Sequence, residues 1–288
     1  SDVGALPAIM FRRHSSRMTG REQVGHMRQN EAALRAFLFD WLCDLKLSII
    51  FFTRIPLVQS GEITPEAMTR ALRAAPLVGG LVGLIAAGAG VLGWTLGLPP
   101  LVCGFLAVGV SMLLTGCLHE DGLTDVADGF GGAFQRDRKL EIMKDSRTGT
   151  YGAAALFLSI GLRAAALSAL IPAGFAWIAL PLAHAASRAL IPGVMAITPQ
   201  ARSSGLGAYH LKPEGRVVTT ALILGALVTL VLVGLGNTLI LLALAAIAAA
   251  AMRTLAMRQI GGYTGDVLGA TQQVGEIALL LGLTVLMS

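Results

Sequence analysis

The sequence predicts an all-α, polytopic integral membrane protein, a helical bundle of about seven transmembrane helices preceded by an N-terminal amphipathic helix. Three observations carry this reading. First, hydrophobic residues make up 55% of the 288 and charged residues 14%, with a mean hydropathy of +0.71, far from the roughly 45–50% apolar and about 25% charged balance of soluble domains. Second, the apolar residues fall into runs long enough to cross a hydrocarbon core of about 30 Å, which takes about 20 helical residues. Third, the connections between those runs divide cleanly by charge. A soluble enzyme, a disordered chain and a secreted disulfide framework are excluded, the last because Cys43, Cys103 and Cys117 show neither pairing nor metal spacing.

In chain order, residues 1–34 read as a basic cytoplasmic extension carrying Arg12, Arg13, Arg17, Arg21 and Arg28, with no signal peptide. Residues 34–56 read as an amphipathic or partly inserted helix, because Asp40, Asp44, Lys46 and Arg54 interrupt the apolar pattern. Each such charge at bilayer mid-depth would cost about 2.5–3.5 kcal/mol. The seven lipid-length runs are 77–98, 101–118, 152–172, 174–197, 217–235, 238–257 and 272–288. Arg136, Arg138, Lys139, Lys144 and Arg147 lie in the loop 119–151, and Arg202, Lys212 and Arg216 in the loop 198–216. The connections at Pro99-Pro100, Pro172–Gly174 and Gly236-Asn237 carry no charge. Because Lys and Arg mark the cytoplasmic side, this pattern places the N-terminus and the loops 119–151, 198–216 and 258–271 inside, with residues 35–288 forming one transmembrane domain.

The chemistry concentrates in the first of those loops, where seven of the 17 acidic residues lie between positions 120 and 145. Its start reads HEDGLTDVADGFGG from His119 to Gly132. At 100° per residue, Asp121, Asp125 and Asp128 fall within an arc of about 60° of one helix face. Glu120 points elsewhere. Like charges about 6 Å apart repel by roughly 3 kcal/mol at an effective dielectric near 20, and a divalent cation removes that cost. Hard oxygen ligands suit Mg²⁺ or Mn²⁺, the remaining positions going to water and substrate phosphate. The plainer reading is a solvated acidic helix end, but the glycines between the acids and the lack of alternating Lys are unlike an ordinary charged face.

The next segment, EIMKDSRTGTYG from Glu141 to Gly152, supplies the opposite sign. Lys144 and Arg147 stand beside Ser146, Thr148, Gly149 and Thr150, a set of cations, hydroxyls and backbone N–H groups able to hold phosphate oxygens where a helix opens. An acid-rich helix followed by a cationic glycine loop suggests diphosphate chemistry; a basic juxtamembrane loop is the alternative. A third segment, RQIGGYTGDVLGA from Arg258 to Ala270, brings Gly262, Thr264 and Asp266 to the same expected surface, where Asp266 would add a metal ligand or position a nucleotide, or the glycines would simply form a turn. His184, Arg188 and Arg163 lie inside apolar runs, and intramembrane ionisable residues face a cavity or a partner.

Four segments together resemble the cobalamin synthase (adenosylcobinamide-GDP ribazoletransferase) family: FFTRIP at Phe51–Pro56, HEDGLTDVADGFGG, IMKDSRTGTYG at Ile142–Gly152, and GGYTGDVLGA at Gly261–Ala270. The resemblance covers about residues 35–288. The family usually carries an aliphatic residue where Glu120 stands. The resemblance implies a late step of vitamin B12 assembly. A hydroxyl of α-ribazole, or of its 5′-phosphate, attacks the phosphate attached to cobinamide in adenosylcobinamide-GDP, and GMP leaves. It implies Mg²⁺ held by Asp121, Asp125 and Asp128; Lys144 and Arg147 steadying charge on the leaving group; Asp145 as first candidate base and Asp128 as second; and Arg54, Ser146, Thr148, Gly149, Thr150, Arg258, Gly262, Thr264 and Asp266 as substrate-binding residues. The implied partners are the two substrates and the lipid bilayer, with no nucleic acid; an oligomer and contacts with other late cobalamin-assembly enzymes stay open. Two other classes use similar parts. A membrane prenyl or CDP-alcohol phosphotransferase also sets Asp-bound Mg²⁺ on a diphosphate, though the D-x₃-D-x₂-D spacing here differs from the paired D-x₃-D blocks of the CDP-alcohol group. A secondary transporter would show repeated halves, and the chain has one Asp-rich block.

Overall fold

The computed structural model describes residues 20–59, 61–202 and 212–287. Among them every regular element is helical: α1 (Gly20–Phe52), α2 (Pro65–Ala71), a 3₁₀ turn at Leu72–Ala74, α3 (Ala75–Thr95), α4 (Pro100–Thr115), α5 (Leu118–Gly132), α6 (Arg136–Ile142), α7 (Thr150–Leu170), α8 (Ala176–Ile197), α9 (Gly215–Ile260) and α10 (Gly265–Leu286). The expected all-α membrane bundle is thus observed. Five helices are long and apolar enough to cross a membrane, or six if α4 and α5, bent by 93° at Gly116-Cys117, form one broken span. Most of the N-terminal extension and the middle of the 198–216 loop lie outside the described residues.

The chain divides into two compact units, Ser1–Trp41 and Leu42–Ser288. The first contributes the exposed N-terminal part of α1, with an edge-on Phe37–Trp41 contact and a Glu31–Arg35 pair at 2.6 Å. The helix expected over 34–56 starts earlier, at Gly20, and stops at Phe52, ahead of Pro56, whose ring disfavours helix in the residues before it. It is not among the helices apolar enough to span. In the second unit its Asp44 is buried against Arg70 at 2.9 Å and Arg73 at 2.6 Å. That charge is therefore turned onto α2 and the 3₁₀ turn, where it is paired, rather than onto lipid.

The bundle centre is α8, the most enclosed of the spanning helices. On α3, Gly79 and Gly83 lie one turn apart against the carbonyls of His184 and Leu180, so closely that a Cβ at either would collide with the α8 backbone. This is the small-residue contact by which helices approach in lipid, where no hydrophobic gain drives them together. Leu, Ile, Phe and Val side chains such as Leu84, Phe157, Leu158 and Ile223 face outward, as a lipid-facing surface requires.

The runs expected at 217–235 and 238–257 are joined in α9, whose 46 residues would extend about 69 Å if straight, over twice the hydrocarbon thickness. Gly234 breaks it, with φ 73° and ψ 173°. Val217 packs in the same apolar cluster as Ala249, Met252, Ala256 and Ile260, while Leu232 and Val233 share the other cluster with Leu241 and Ala245. The chain therefore doubles back near Gly234 as two antiparallel arms. A second difference is α10, which begins at Gly265 rather than 272, because the Thr264 hydroxyl caps it by accepting from Val267 N at 3.3 Å. A third is that the expected loop 119–151 is largely helical, containing α5 and α6.

Candidate active site

The start of α5 packs directly on the start of α10. Gly122 lies against the Asp266 backbone and Gly269 against that of His119, with no room for a side chain at Gly122. This contact brings two motifs about 145 positions apart in sequence to one pocket. Its walls are Phe51 and Phe52 from α1, Leu72 from the 3₁₀ turn, Leu118 from α5, Ile191 and Met195 from α8, and Leu268 from α10; Asp121, Asp266 and His119 supply its only polar side chains. Phe51 and Phe52 meet edge to face at 4.9 Å, and Phe52 stacks on the His119 ring at 5.9 Å and 5°.

Asp121 is exposed and Asp125 half-buried, and neither side chain makes a hydrogen bond or ion pair with the described residues. Asp125 feels the negative charges of Asp121, Asp266 and Asp128 together with the positive charge of Arg202. Asp266 pairs with Arg202 at 2.9 Å and accepts from the Thr264 hydroxyl at 3.1 Å. The segment around it is fixed from the side. Tyr263 N donates to Pro199 O at 2.9 Å, Ala201 N to Tyr263 O at 2.8 Å, and Arg136 to both Ile260 O at 2.9 Å and Ala201 O at 2.6 Å. Lys139 bonds Gln259. Gly262 is buried against Pro199 O, so it shapes this junction rather than a ligand surface. Arg136, Lys139 and Arg202 were legible only as topology signals; nothing in their spacing marked them as supports of the Asp266 turn.

Asp128, expected as a metal ligand or base, is engaged within the protein. It is buried, and both of its oxygens are used at the opening of α7, accepting from Gly149 N at 2.7 Å and from Gly152 N at 2.7 Å. A carboxylate on the N-terminal N–H groups of a helix satisfies donors that have no intrahelical partner and complements the helix dipole. Gly149, expected to help hold phosphate, has its N–H taken by the protein's own carboxylate. Among the described residues no group of three His, Cys, Asp or Glu is gathered for a metal ion. What fits a hard cation is Asp121 with Asp125. One or two carboxylates, completed by water and substrate phosphate, are the usual protein share of a Mg²⁺ site.

The loop before α7 is open to solvent. Arg147 grips Asp145 through Nη2–Oδ2 at 2.6 Å and Nε contacts at 3.1 Å, and Arg147 N donates to Asp145 Oδ1 at 3.1 Å. These hydrogen bonds from Arg147 hold the Asp145 carboxyl down at about 2. A carboxylate so stabilised has little affinity for a proton, which weighs against Asp145 as the base. Lys144, Ser146, Thr148 and Thr150 are exposed in the same segment, and the Lys144 ammonium has no partner among the described residues. Arg54 is brought to the α4–α5 corner, its backbone N donating to Leu114 O at 2.6 Å and its side chain lying over Gly116. Arg258 is not brought to the pocket. It lines an outward groove of α9 with Ile247, Thr254 and Leu255.

Behind the pocket lies a buried polar cluster. Arg163 of α7 pairs with Glu120 at 2.9 Å and with Glu276 of α10 at 3.2 Å, all nearly sealed from solvent. Glu276 also meets His184 at 3.2 Å and Gln272 at 2.6 Å, and Arg188 lies 3.0 Å from His184 Nδ1. The intramembrane charges thus find one another.

Fold and site define a polytopic helical membrane protein with a carboxylate-edged apolar pocket built where helix ends converge. The model of one family, described as cobalamin-5-phosphate synthase, matches residues 44–284, and the chain belongs to that enzyme family. It is 46% identical over 240 residues to a Bradyrhizobium diazoefficiens protein named adenosylcobinamide-GDP ribazoletransferase, covering 83% of this chain and 92% of the relative. Identity to similarly named proteins is 44% in Mesorhizobium japonicum, over 86% of this chain and 95% of the relative, and 42% in Azorhizobium caulinodans, over 85% and 96%. No solved structure matches the chain.

Proposed function

We propose that this chain is an adenosylcobinamide-GDP ribazoletransferase. It joins α-ribazole, or its 5′-phosphate, to adenosylcobinamide-GDP and releases GMP, in a late step of vitamin B12 assembly. The observation that carries the proposal is the carboxylate pair of Asp121 and Asp125, without partners among the described residues, Asp121 edging the pocket with Asp266 and Asp125 feeling the Asp266 charge, in a chain whose similar relatives bear that activity in their names. In the reaction the acceptor hydroxyl forms a new O–P bond to the cobinamide-bound phosphorus. The P–O bond to the GMP phosphate breaks, and the hydroxyl proton is lost.

Asp121 and Asp125 would hold Mg²⁺, which supplies charge neutralisation for the diphosphate and the leaving phosphate. Lys144, without a partner among the described residues, meets the phosphate oxygens. Arg147 already has its charge balanced by Asp145 and so acts mainly to shape the loop. Asp128 holds the loop to α5 through Gly149 and Gly152, and Arg202 fixes Asp266. The active face is cytoplasmic, in the inner membrane of a bacterium; the distribution of Lys and Arg supports this.

The test is turnover by the purified protein in detergent with adenosylcobinamide-GDP, α-ribazole 5′-phosphate and Mg²⁺. Metal-dependent GMP and a cobalamin product, both lost in Asp121→Ala, support the reading. Corrinoid binding with no turnover on either acceptor overturns it. Orientation is tested separately with Cys117, the exposed cysteine at the α4–α5 corner. In a Cys43→Ser background an impermeant maleimide should reach it only from the cytoplasmic side.

A further inference from the structure

Arg202 stands among the acids of the site and is loosely held there. Asp125 feels the charges of Asp121, Asp266 and Asp128, and Arg202 is the cation set against them. Since Asp128 has its own donors at the opening of α7, one guanidinium faces three acids, Asp121, Asp125 and Asp266. Arg202 Nη2 donates to Asp266 Oδ2 at 2.9 Å, and Nη1 reaches Leu140 O at a long 3.5 Å. Asp266 Oδ2 is shared with the Thr264 hydroxyl at 3.1 Å. Neither Asp266 Oδ1 nor Arg202 Nε makes a hydrogen bond among the described residues.

A guanidinium carries its N–H donors in a planar fork, and its strong pairings with carboxylate or phosphate use two of them at once. Arg147 makes such a closed pairing on Asp145, with Nη2 and Nε contacts that reach both oxygens. Arg202 leaves the fork half used. Its backbone, by contrast, is firmly placed. The preceding residue, Ala201, donates its N–H to Tyr263 O at 2.8 Å and accepts from Arg136 Nη2 at 2.6 Å, while Tyr263 N donates to Pro199 O at 2.9 Å. A fixed backbone under a singly held head group allows a change of partner without refolding. With a divalent cation at Asp121 and Asp125, the acids have a stronger counter-charge than one guanidinium supplies. A diphosphate then offers Arg202 the paired oxygens that Asp266 does not.

We propose that Arg202 exchanges partners: it is the counter-ion of the acidic group in the free protein and a ligand of the diphosphate once a divalent cation and a nucleoside diphosphate are bound. The proposal rests on the transferase reading above and deepens it, because one side chain then links metal and substrate binding. Two effects of opposite sign follow. Removing the Arg202 charge takes away a competitor of the cation, so metal alone binds more tightly. The same change removes a phosphate ligand, so the diphosphate binds more weakly. A residue that only props up Asp266 behaves otherwise, since its loss loosens the site and weakens both.

The experiment titrates the purified protein in detergent by calorimetry, first with Mg²⁺ alone and then with GDP at saturating Mg²⁺. Arg202→Gln should lower the Kd for Mg²⁺ about threefold or more and raise the Kd for GDP about 10- to 100-fold. Arg202→Lys keeps the charge and loses the fork, so its Mg²⁺ affinity should match wild type while its GDP affinity falls between the two. Unchanged or weaker Mg²⁺ binding in Arg202→Gln overturns the proposal, and so does GDP binding equal to wild type. Wild type that binds Mg²⁺ but no GDP overturns it as well. Should Arg202→Gln fail to fold, Asp266→Asn decides: it releases the guanidinium, so GDP binding without metal should strengthen about threefold or more, and an unchanged affinity overturns the exchange. If these shifts appear while wild type releases no GMP with either acceptor, the transferase reading fails and the exchange stands.

Discussion

Asp128 and Gly152 meet at 2.7 Å, carboxylate oxygen to backbone nitrogen, and the second oxygen of Asp128 takes Gly149 N at the same distance. One acid of the Asp-rich helix is therefore a cap for α7, while its neighbours three and seven positions earlier have no partner among the described residues. The two roles separate in stability measurements. Asp128→Ala loses two hydrogen bonds to a charged acceptor at a buried helix end and should cost about 2–4 kcal/mol, lowering the thermal midpoint in detergent. Asp121→Ala removes an exposed, unpaired group and should leave that midpoint unchanged while abolishing turnover. Gly152→Ala should behave like Asp128→Ala, because a Cβ there runs into the Asp128 carboxylate and the Thr124 methyl.

Metal dependence should follow Asp121 and Asp125 and not Asp128. Asn at either position keeps the shape but halves the negative charge of the pair, and the loss in kcat/KM should be roughly 100-fold, partly recovered by raising Mg²⁺. Chelator should stop wild type completely. Isothermal titration of Mg²⁺ into each variant reads the same difference without turnover. An Asp128→Asn protein that weakens Mg²⁺ as much as Asp121→Asn would put the three-carboxylate site back in place.

The Asp145–Arg147 pair makes a pH prediction with a definite sign. The Asp145 carboxyl is lowered to about 2 from 3.8 by Arg147. What the pair contributes is therefore fully present above pH 4 and lost as pH falls through about 2. Between pH 5 and 9 Asp145 undergoes no ionisation, so the pH dependence of kcat/KM in that range should be the same in wild type and Asp145→Asn, apart from a uniform scale factor. Disappearance of an acidic limb with an apparent pKa near 6 in the variant would return Asp145 to the role of base.

Most of the bundle was legible because its signal is local. An apolar run of lipid length needs no knowledge of its neighbours, and all seven runs lie within or overlap observed helices. The acid-rich and KDSRTGTYG segments were legible for a similar reason, being dense in unusual residues. What spacing did not reveal was partnership. Asp121, Asp125 and Asp128 do lie on one arc of α5, but that arc is flanked by α7 as well as α10, and the α7 N-terminus claims the last of the three. Arg258 sits in a glycine-rich motif, yet helical phase turns it to the outside of α9. The pocket walls were missed because Phe51, Phe52, Leu72, Ile191 and Met195 look like ordinary core residues. Only the convergence of five elements makes them a surface.

The buried cluster around Arg163 allows a prediction that separates pairing from mere polarity. Arg163 and Arg188 are balanced by Glu120 and Glu276, so the four charges sum to zero if His184 is neutral. Removing one member leaves a net charge sealed in the bundle, and such single deletions cost about 3–5 kcal/mol. Glu276→Ala should be the more damaging carboxylate deletion, since Glu276 also holds His184 and Gln272, whereas the Glu120 carboxylate bonds Arg163 and Gln273 among the described residues. Glu120→Leu combined with Arg163→Met removes one charge of each sign and keeps the remaining two balanced. The double variant should therefore be less destabilised than the sum of the singles, by an interaction energy of about 1–3 kcal/mol. Thermal unfolding followed by size-exclusion fluorescence in detergent measures all three, and additivity within about 0.5 kcal/mol would mean that these side chains do not act as one charge-balanced unit.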